Sequence, residues 1–146
     1  NRFNFLFDRK RMDKKKQDNP VEVNYNLAQC AFKERLKRQY LVLEAMPEDA
    51  PEGNHEACRL EIARSHEIIA EIHDKRGQLE KSLPHLREAV QHKEGILAET
   101  DPEMLSSWNI LASVCMRSGL FDEALAAMEK ATFASIALFG EESLTV

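Results

Sequence analysis

The sequence is poor in residues that interrupt regular structure, with only five glycines and five prolines among 146 residues. That scarcity argues against a β-sandwich or a disordered linker, because both need many turn-forming residues. No run approaches the roughly 18 apolar residues of a membrane span, and no apolar segment suits a signal peptide. With 43% hydrophobic and 31% charged residues, the composition predicts an all-α chain that is not membrane-bound.

Cysteine is also scarce: Cys30, Cys58 and Cys115 are widely spaced, and no CxxC pair is present. An odd number of distant cysteines excludes a simple disulfide framework and indicates a reducing compartment. We therefore predict a cytoplasmic protein, with the cytoskeleton or a cilium as more specific settings. The chain begins at Asn1 without an initiator Met and stops after the start of another turn, so we expect it to be part of a longer polypeptide.

Charge is unevenly distributed along the chain. Residues 1–20 carry seven basic and three acidic side chains, whereas the remainder carries 13 basic and 22 acidic ones. Residues 1–19 thus form a basic arm on an acidic body. A solvated tail is the first interpretation, and attraction to an acidic partner such as a tubulin tail is the second. A nucleic acid is disfavoured because the acidic body would repel a polyanion.

The sequence repeats itself with a period of 42 residues. The matched positions are Ile69 with Leu111, Ala70 with Ala112, Gly77 with Gly119, Leu79 with Phe121, Leu86 with Met128, and Ala89 with Ala131. Alanine lets a neighbouring helix approach closely, glycine ends a helix in the left-handed conformation, and the apolar residue after it should pin the turn. A further shift reaches Leu27 and then fades, because Arg35 stands where glycine is needed.

Apolar spacing and cap signals predict five helices. Their expected ranges are 22–46, 54–76, 79–98, 103–118 and 121–139, with a Pro- and Gly-containing loop over 46–53. Asp101 and Pro102 are typical of a helix start, and we place Pro84 at or near the first turn of its helix. Amphipathic faces are expected from Leu83, Leu86, Ala89 and Val90 in one unit, and from Ala124, Leu125, Met128 and Ala131 in the next.

These residues resemble the tetratricopeptide repeat, in particular its 42-residue kinesin-light-chain-like variety. The similarity runs from Trp108 through Leu111, Ala112, Gly119, Phe121, Ala124, Met128 and Ala131. It implies an α-α superhelix of helical hairpins, a fragment of a right-handed solenoid. The repeat domain would cover 20–146, with units at 59–100 and 101–146. Residues 20–58 would be either a decayed repeat or a capping helix pair.

The resemblance implies a scaffold or adaptor that binds a peptide or protein in a groove lined by the first helix of each unit. The groove candidates are Arg64, Glu67, Glu71, Asp74, Asn109, Ser113, Met116 and Arg117. Asn109 would hold peptide amides, while Arg64 and Arg117 would pair with acidic side chains. The alternative is a structural subunit embedded in a large assembly, such as a microtubule-associated or ciliary complex.

No motif indicates catalysis or a cofactor. Residues 66–70 begin like the zinc motif H-E-x-x-H but end in Ala70. His66 and His73 are seven residues apart, yet two imidazoles alone leave a metal under-coordinated, so we expect no metal site. Cys58 follows His55 by three residues without evident oxyanion donors. Because no Gly-rich phosphate loop is present either, the sequence predicts a non-enzymatic protein.

Overall fold

The structure is a computed structural model that describes residues 19–140, and the basic arm lies outside this range apart from Asn19. The described residues form five helices and no strand. The helices are α1 (Pro20–Ala45), α2 (Glu52–Lys75), α3 (Leu79–Glu94), α4 (Pro102–Arg117) and α5 (Phe121–Phe139). All predicted helices are present and the all-α prediction is confirmed. The largest boundary error is at the end of α3, which was expected to reach residue 98.

Side chains mark the helix starts as the sequence indicates. Asp101 accepts a hydrogen bond from the Glu103 amide at 2.8 Å, and Pro102 occupies the first position of α4. This is the expected N-cap arrangement. The placement of Pro84 in a first turn is wrong, because α3 begins at Leu79 and Pro84 is its sixth residue. Proline has no N–H for the carbonyl four residues earlier, so α3 lacks one backbone hydrogen bond there.

The two glycine turns are built alike. Gly77 has φ +72° and Gly119 has φ +77°, which is the left-handed conformation that glycine adopts at least cost. In the first turn the Gln78 amide bonds the His73 carbonyl at 2.8 Å, and the Gly77 amide bonds the Asp74 carbonyl at 2.9 Å. This pair of bonds is a Schellman motif.

The second turn repeats both bonds 42 residues later. The Leu120 amide bonds the Cys115 carbonyl at 2.9 Å, and the Gly119 amide bonds the Met116 carbonyl at 3.2 Å. Donors and acceptors at equivalent positions show that the repeat predicted from the sequence is a repeat of backbone geometry.

Burial follows the same 42-residue register. Each helix packs on the next along the chain, and positions 42 residues apart are buried together. The doubly buried pairs are Ile62 with Met104, Ser65 with Ser107, His66 with Trp108, Ile69 with Leu111, Ala70 with Ala112, Ile72 with Val114, His73 with Cys115, Ser82 with Ala124, and Ala89 with Ala131. The segments around Ile69 and Leu111 are therefore equivalent, as the repeat requires.

The last helix differs from its prediction. Its buried face is made of alanines: Ala124, Ala127, Ala131 and Ala134. Leu125, Met128 and Phe121 are exposed instead, so their assignment to the packed face and to the turn contact was wrong. A helix in a repeat array carries two apolar faces, and only one of them meets the preceding hairpin.

Residues 20–58 depart from the repeat. Helix α1 continues without interruption through Arg35, where a hairpin in register would turn, and none of its residues is fully buried. Leu27, the counterpart of Ile69, is 64% exposed. Helix α1 therefore covers α2 as a single long helix. None of the described helices has the length and apolar character needed to cross a membrane.

Candidate functional site

A groove of about 580 Å³ runs between α2 and α4. The groove-lining residues are Arg64, Glu67, Ile68, Ala70, Glu71 and Asp74 from α2, Ser82 and Leu86 from α3, and Ile110 and Val114 from α4. The four sequence-predicted residues of α2 thus share one concave surface. Its apolar residues alternate with charged ones, a composition typical of peptide-binding sites.

Arg64 and Asp74 form ion pairs that join the two units, whereas Glu71 pairs with Lys75 on its own helix. Arg64 lies 3.1 Å from Glu103 and 2.9 Å from Glu61. Asp74 accepts two hydrogen bonds from Arg117, at 2.7 and 2.8 Å. The expected free arginines are therefore already paired with carboxylates of the chain itself.

These pairs shift the acidity of their carboxyl groups. The hydrogen bond from Arg117 lowers the pKa of Asp74. The pKa of Glu103 is lowered first by its hydrogen bond from Arg64 and then by Lys93. Both carboxylates thus stay charged under mildly acidic conditions, and a ligand must compete with a pre-formed ionic partner.

Below the groove lies a buried lysine that the sequence analysis did not single out. Lys93 is 1% exposed, and its Nζ atom lies 2.7 Å from Glu67, 2.9 Å from Ser107 and 3.2 Å from Glu103. A buried ammonium needs such partners, because an unpaired charge would be strongly destabilising. Lys93 therefore ties α2, α3 and α4 together under the groove.

The remaining α4 candidates occupy a different part of the surface. Asn109, Ser113 and Met116 are exposed on α4 but are not groove-lining residues. Ile110 and Val114 line it in their place. Asn109 and Ser113 are each adjacent in sequence to one of these two groove-lining residues.

A second feature is a cluster of four histidines between α1, α2 and α3, defined here as the histidine cluster: His66, His73, His85 and His92. The two Nδ1 atoms of His66 and His85 lie 2.9 Å apart. The Tyr40 hydroxyl lies 3.0 Å from His66 Nε2 and 3.2 Å from His92 Nε2. Tyr40 therefore joins His66 to His92, while His85 is bonded directly to His66.

Burial lowers the pKa of three imidazoles of the cluster, those of His66, His85 and His92. Desolvation, followed by the neighbouring His85 and His92, lowers the pKa of His66 to about 4. Desolvation also lowers the pKa of His85 and of His92. The three rings are neutral at pH 7 and keep lone pairs on nitrogen. The His73 ring stacks on His85 at 5.8 Å between centroids and bonds Gln78 at 2.9 Å.

The sequence analysis found half of this cluster. It noted His66 and His73 but not His85 and His92, which have the same seven-residue spacing on the next helix. That repeated spacing was the available signal, because seven residues return to one helix face. Tyr40 on α1 had no comparable signal, since its partners lie 26 and 52 positions away.

The cysteines have no shared site. All three are free and helical; Cys30 is exposed and Cys115 is buried. Burial raises the pKa of the Cys115 thiol, which makes it a poor nucleophile. The Cys58 sulfur contacts the Gln39 carbonyl oxygen at 3.6 Å.

Comparison with known proteins gives one match. Residues 105–132, within α4 and α5, match the tetratricopeptide repeat family model. No curated protein and no solved structure matches the chain. The finer kinesin-light-chain-like assignment stays a prediction. The matched segment and the repeated hairpin geometry together support a tetratricopeptide-type helical repeat, a kind of module that generally mediates protein–protein interaction.

Proposed function

We propose that the chain is a non-catalytic interaction module that binds a peptide in the groove between α2 and α4. The observation that carries the proposal is the apolar surface of Ile68 and Ile110, one from each unit, beside the charged residues of α2. Ile110 is 43% exposed, which leaves apolar area for a ligand to cover. Burial of such area supplies affinity, while the charged residues select the partner.

The ion pairs suggest how a peptide would be selected. The Asp74–Arg117 pair is solvent-accessible, with side chains 30% and 48% exposed. An acidic peptide side chain could replace Asp74 on Arg117 at little net cost, since exposed pairs contribute only about 0–1 kcal/mol. A basic peptide side chain could likewise replace Arg117 as the partner of Asp74. The predicted ligand is therefore a short segment with apolar residues flanked by charge.

Selection from a displayed peptide library, followed by titration of the purified chain, tests this proposal. Ile110→Glu should weaken the selected peptide at least about tenfold, because it places a charge on the apolar surface. Leu41→Glu is the matched control, since Leu41 is an exposed apolar residue of α1 that does not line the groove. Equal effects of the two variants, or failure to select any peptide, would refute the groove as the binding site.

A structural subunit of a larger assembly is the second candidate. The exposed apolar residues of α5 favour it: Leu125, Met128, Phe133 and Phe139 are each at least 45% exposed. Such a face normally meets another protein surface. A chain permanently embedded in this way should aggregate or be partly molten when expressed alone. A monodisperse, cooperatively unfolding chain argues for the peptide-binding module instead.

The basic arm and the cellular location remain proposals. Residues 1–18 lie outside the described residues, and an acidic surface such as tubulin is the partner that their charge favours. Deletion of residues 1–18 should then weaken binding to tubulin and reduce its salt dependence. Unchanged tubulin binding would show that the basic arm does not contribute to it. A cytoplasmic location rests on the cysteine pattern, and the cytoskeleton or a cilium as its setting rests on the basic arm.

A further inference from the structure

Beyond peptide binding, we infer that the histidine cluster contains a site for one divalent transition-metal ion of the zinc class, held by His66, His92 and Glu88. The candidate ligand atoms of these residues all lie within 4.8 Å of one another. Two come from α3, one helical turn apart, and the third comes from α2. The ion would therefore clamp the hairpin formed by α2 and α3.

The distances fit a site that closes slightly around an ion. Zinc binds nitrogen and oxygen at about 2.0–2.2 Å, which places tetrahedral ligands roughly 3.3–3.5 Å apart. His92 Nε2 is 3.8 Å from the nearer Glu88 oxygen. The Glu88 side chain is 51% exposed, so it can rotate inward without disturbing the core. The Tyr40 hydroxyl, which lies 3.0 Å from His66 Nε2 and 3.2 Å from His92 Nε2, would give up these contacts to the ion.

The surroundings of His66 suit a metal ligand. The 2.9 Å contact between the Nδ1 atoms of His66 and His85 requires a proton on one of them. When His66 carries it, His66 donates to His85 and its Nε2 lone pair faces Tyr40 and His92. Metal-bound histidines commonly donate their second ring N–H in this way, which fixes the ring and its tautomer.

The chemistry of the donors indicates which ion binds. Imidazole with carboxylate suits zinc, cobalt, nickel and copper, whereas magnesium and calcium prefer oxygen alone. The buried His66 supplies the inner side of the site, while His92, with 19% of its side chain exposed, and Glu88 provide access from solvent.

This site differs from the one considered in the sequence. The pair His66 and His73 alone would under-coordinate a metal, and in the structure His73 is bonded to Gln78. Helix α3 supplies the missing ligands. The expectation of no metal was argued from His66 and His73 alone and did not consider His92 and Glu88.

Cobalt titration of the full, tag-free chain after chelator treatment tests the inference. One equivalent of Co²⁺ should bind and produce the visible absorption of a four-coordinate ion, and Zn²⁺ should displace it. Glu88→Gln should weaken Co²⁺ binding at least about tenfold and His92→Gln still more, because even outer-shell changes cost 10–100-fold. Glu88 is exposed, so its variant should fold normally.

Three matched variants act as controls. Glu80→Gln changes an exposed carboxylate on the same helix, His55→Gln changes the histidine outside the cluster, and His73→Gln changes the histidine of the rejected pair. Each should bind one equivalent of Co²⁺ as the parent does. Absence of saturable binding, binding indifferent to Glu88→Gln and His92→Gln, or loss in His73→Gln would each overturn the inference.

Discussion

The two helical units share one backbone register but bury different chemistry. The α4–α5 unit places Trp108, Cys115, Ala127 and Ala134 at the positions where the α2–α3 unit has the histidine cluster. Both units end their first helix with the same pair of turn hydrogen bonds. The common register therefore depends on the two glycine turns and on small residues where helices approach closely. The core positions that hold the histidine cluster accept either polar or apolar side chains.

The difference extends to the neighbouring surface. Glu88 lies beside His92 in the first unit, whereas its counterpart Lys130 lies 4.5 Å above the Trp108 ring in the second. One position thus contributes a candidate metal ligand in one unit and a cation–π contact in the other. Both units bury apolar side chains, but the α2–α3 unit also contains the hydrogen-bonded histidine cluster, which could acquire a ligand.

The largest expected change in stability comes from truncating the core side chain at one equivalent position in each unit. Trp108→Ala should lower the free energy of unfolding by about 3–5 kcal/mol, the usual cost of removing a buried tryptophan. His66→Ala at the equivalent position should cost about 1–3 kcal/mol, because it removes hydrogen bonds rather than a large apolar side chain. Urea unfolding of both variants measures this. A larger loss in His66→Ala would mean that the polar core is the main source of stability.

The junction between the units should be nearly as sensitive. Lys93→Met leaves the Glu67 and Glu103 carboxylates close together without their shared cation, and should cost about 3 kcal/mol. Lys75→Met is the matched control, because Lys75 is 58% exposed and pairs with Glu71 on its own helix. That control should change stability by less than about 0.5 kcal/mol. Equal losses would show that the buried lysine has no special role.

The turns should behave identically in both units. Gly77→Ala and Gly119→Ala should each cost about 1–2 kcal/mol, because alanine is strained at positive φ. A Cβ at either position would have no atom within 4 Å, so backbone strain is the only expected cost. Gly53→Ala, within α2, should be neutral or stabilising. Different losses of stability in the two variants would show that the two turns are not equivalent.

The smallest effect concerns the ion pair across the groove. A double-mutant cycle of Asp74→Asn and Arg117→Gln should give a coupling of about 0.2–1 kcal/mol, as for other exposed pairs. The folded-state pKa of Asp74 is lowered, so its contribution is present above the unfolded-state pKa and is lost as pH falls through the folded one. Stability measured from pH 6 downward should therefore decline less in Asp74→Asn. An unchanged pH profile would contradict the pairing.

Much of the fold could be predicted because its signals are local. Gly77 and Gly119 mark turns through their own conformational freedom, and Asp101 with Pro102 marks a helix start. The exposed Leu125 and Met128 could not be predicted, since an amphipathic pattern does not say which of two apolar faces finds a partner. The same limit explains why Ile110 lines the groove instead of the predicted Asn109.

The candidate sites were predictable to different degrees. The α2 residues of the groove followed from the resemblance to a repeat family. The proposed metal ligands did not, because His66 lies on α2 whereas Glu88 and His92 lie on α3, and the three meet only when the two helices pack together. Lys93 was missed for a related reason: lysine on a helix normally faces solvent, and its partners come from two other helices.

The most direct test of a shared register with different cores is the tautomeric state of the histidines, measured by long-range ¹H–¹⁵N NMR on the chelator-treated chain at pH 7. The 2.9 Å contact between two Nδ1 atoms predicts that His66 or His85 is the Nδ1–H tautomer, which is the minor form of a histidine free in water. Four imidazoles that all show the solvent-averaged Nε2–H form would contradict a buried, hydrogen-bonded histidine core in the first unit.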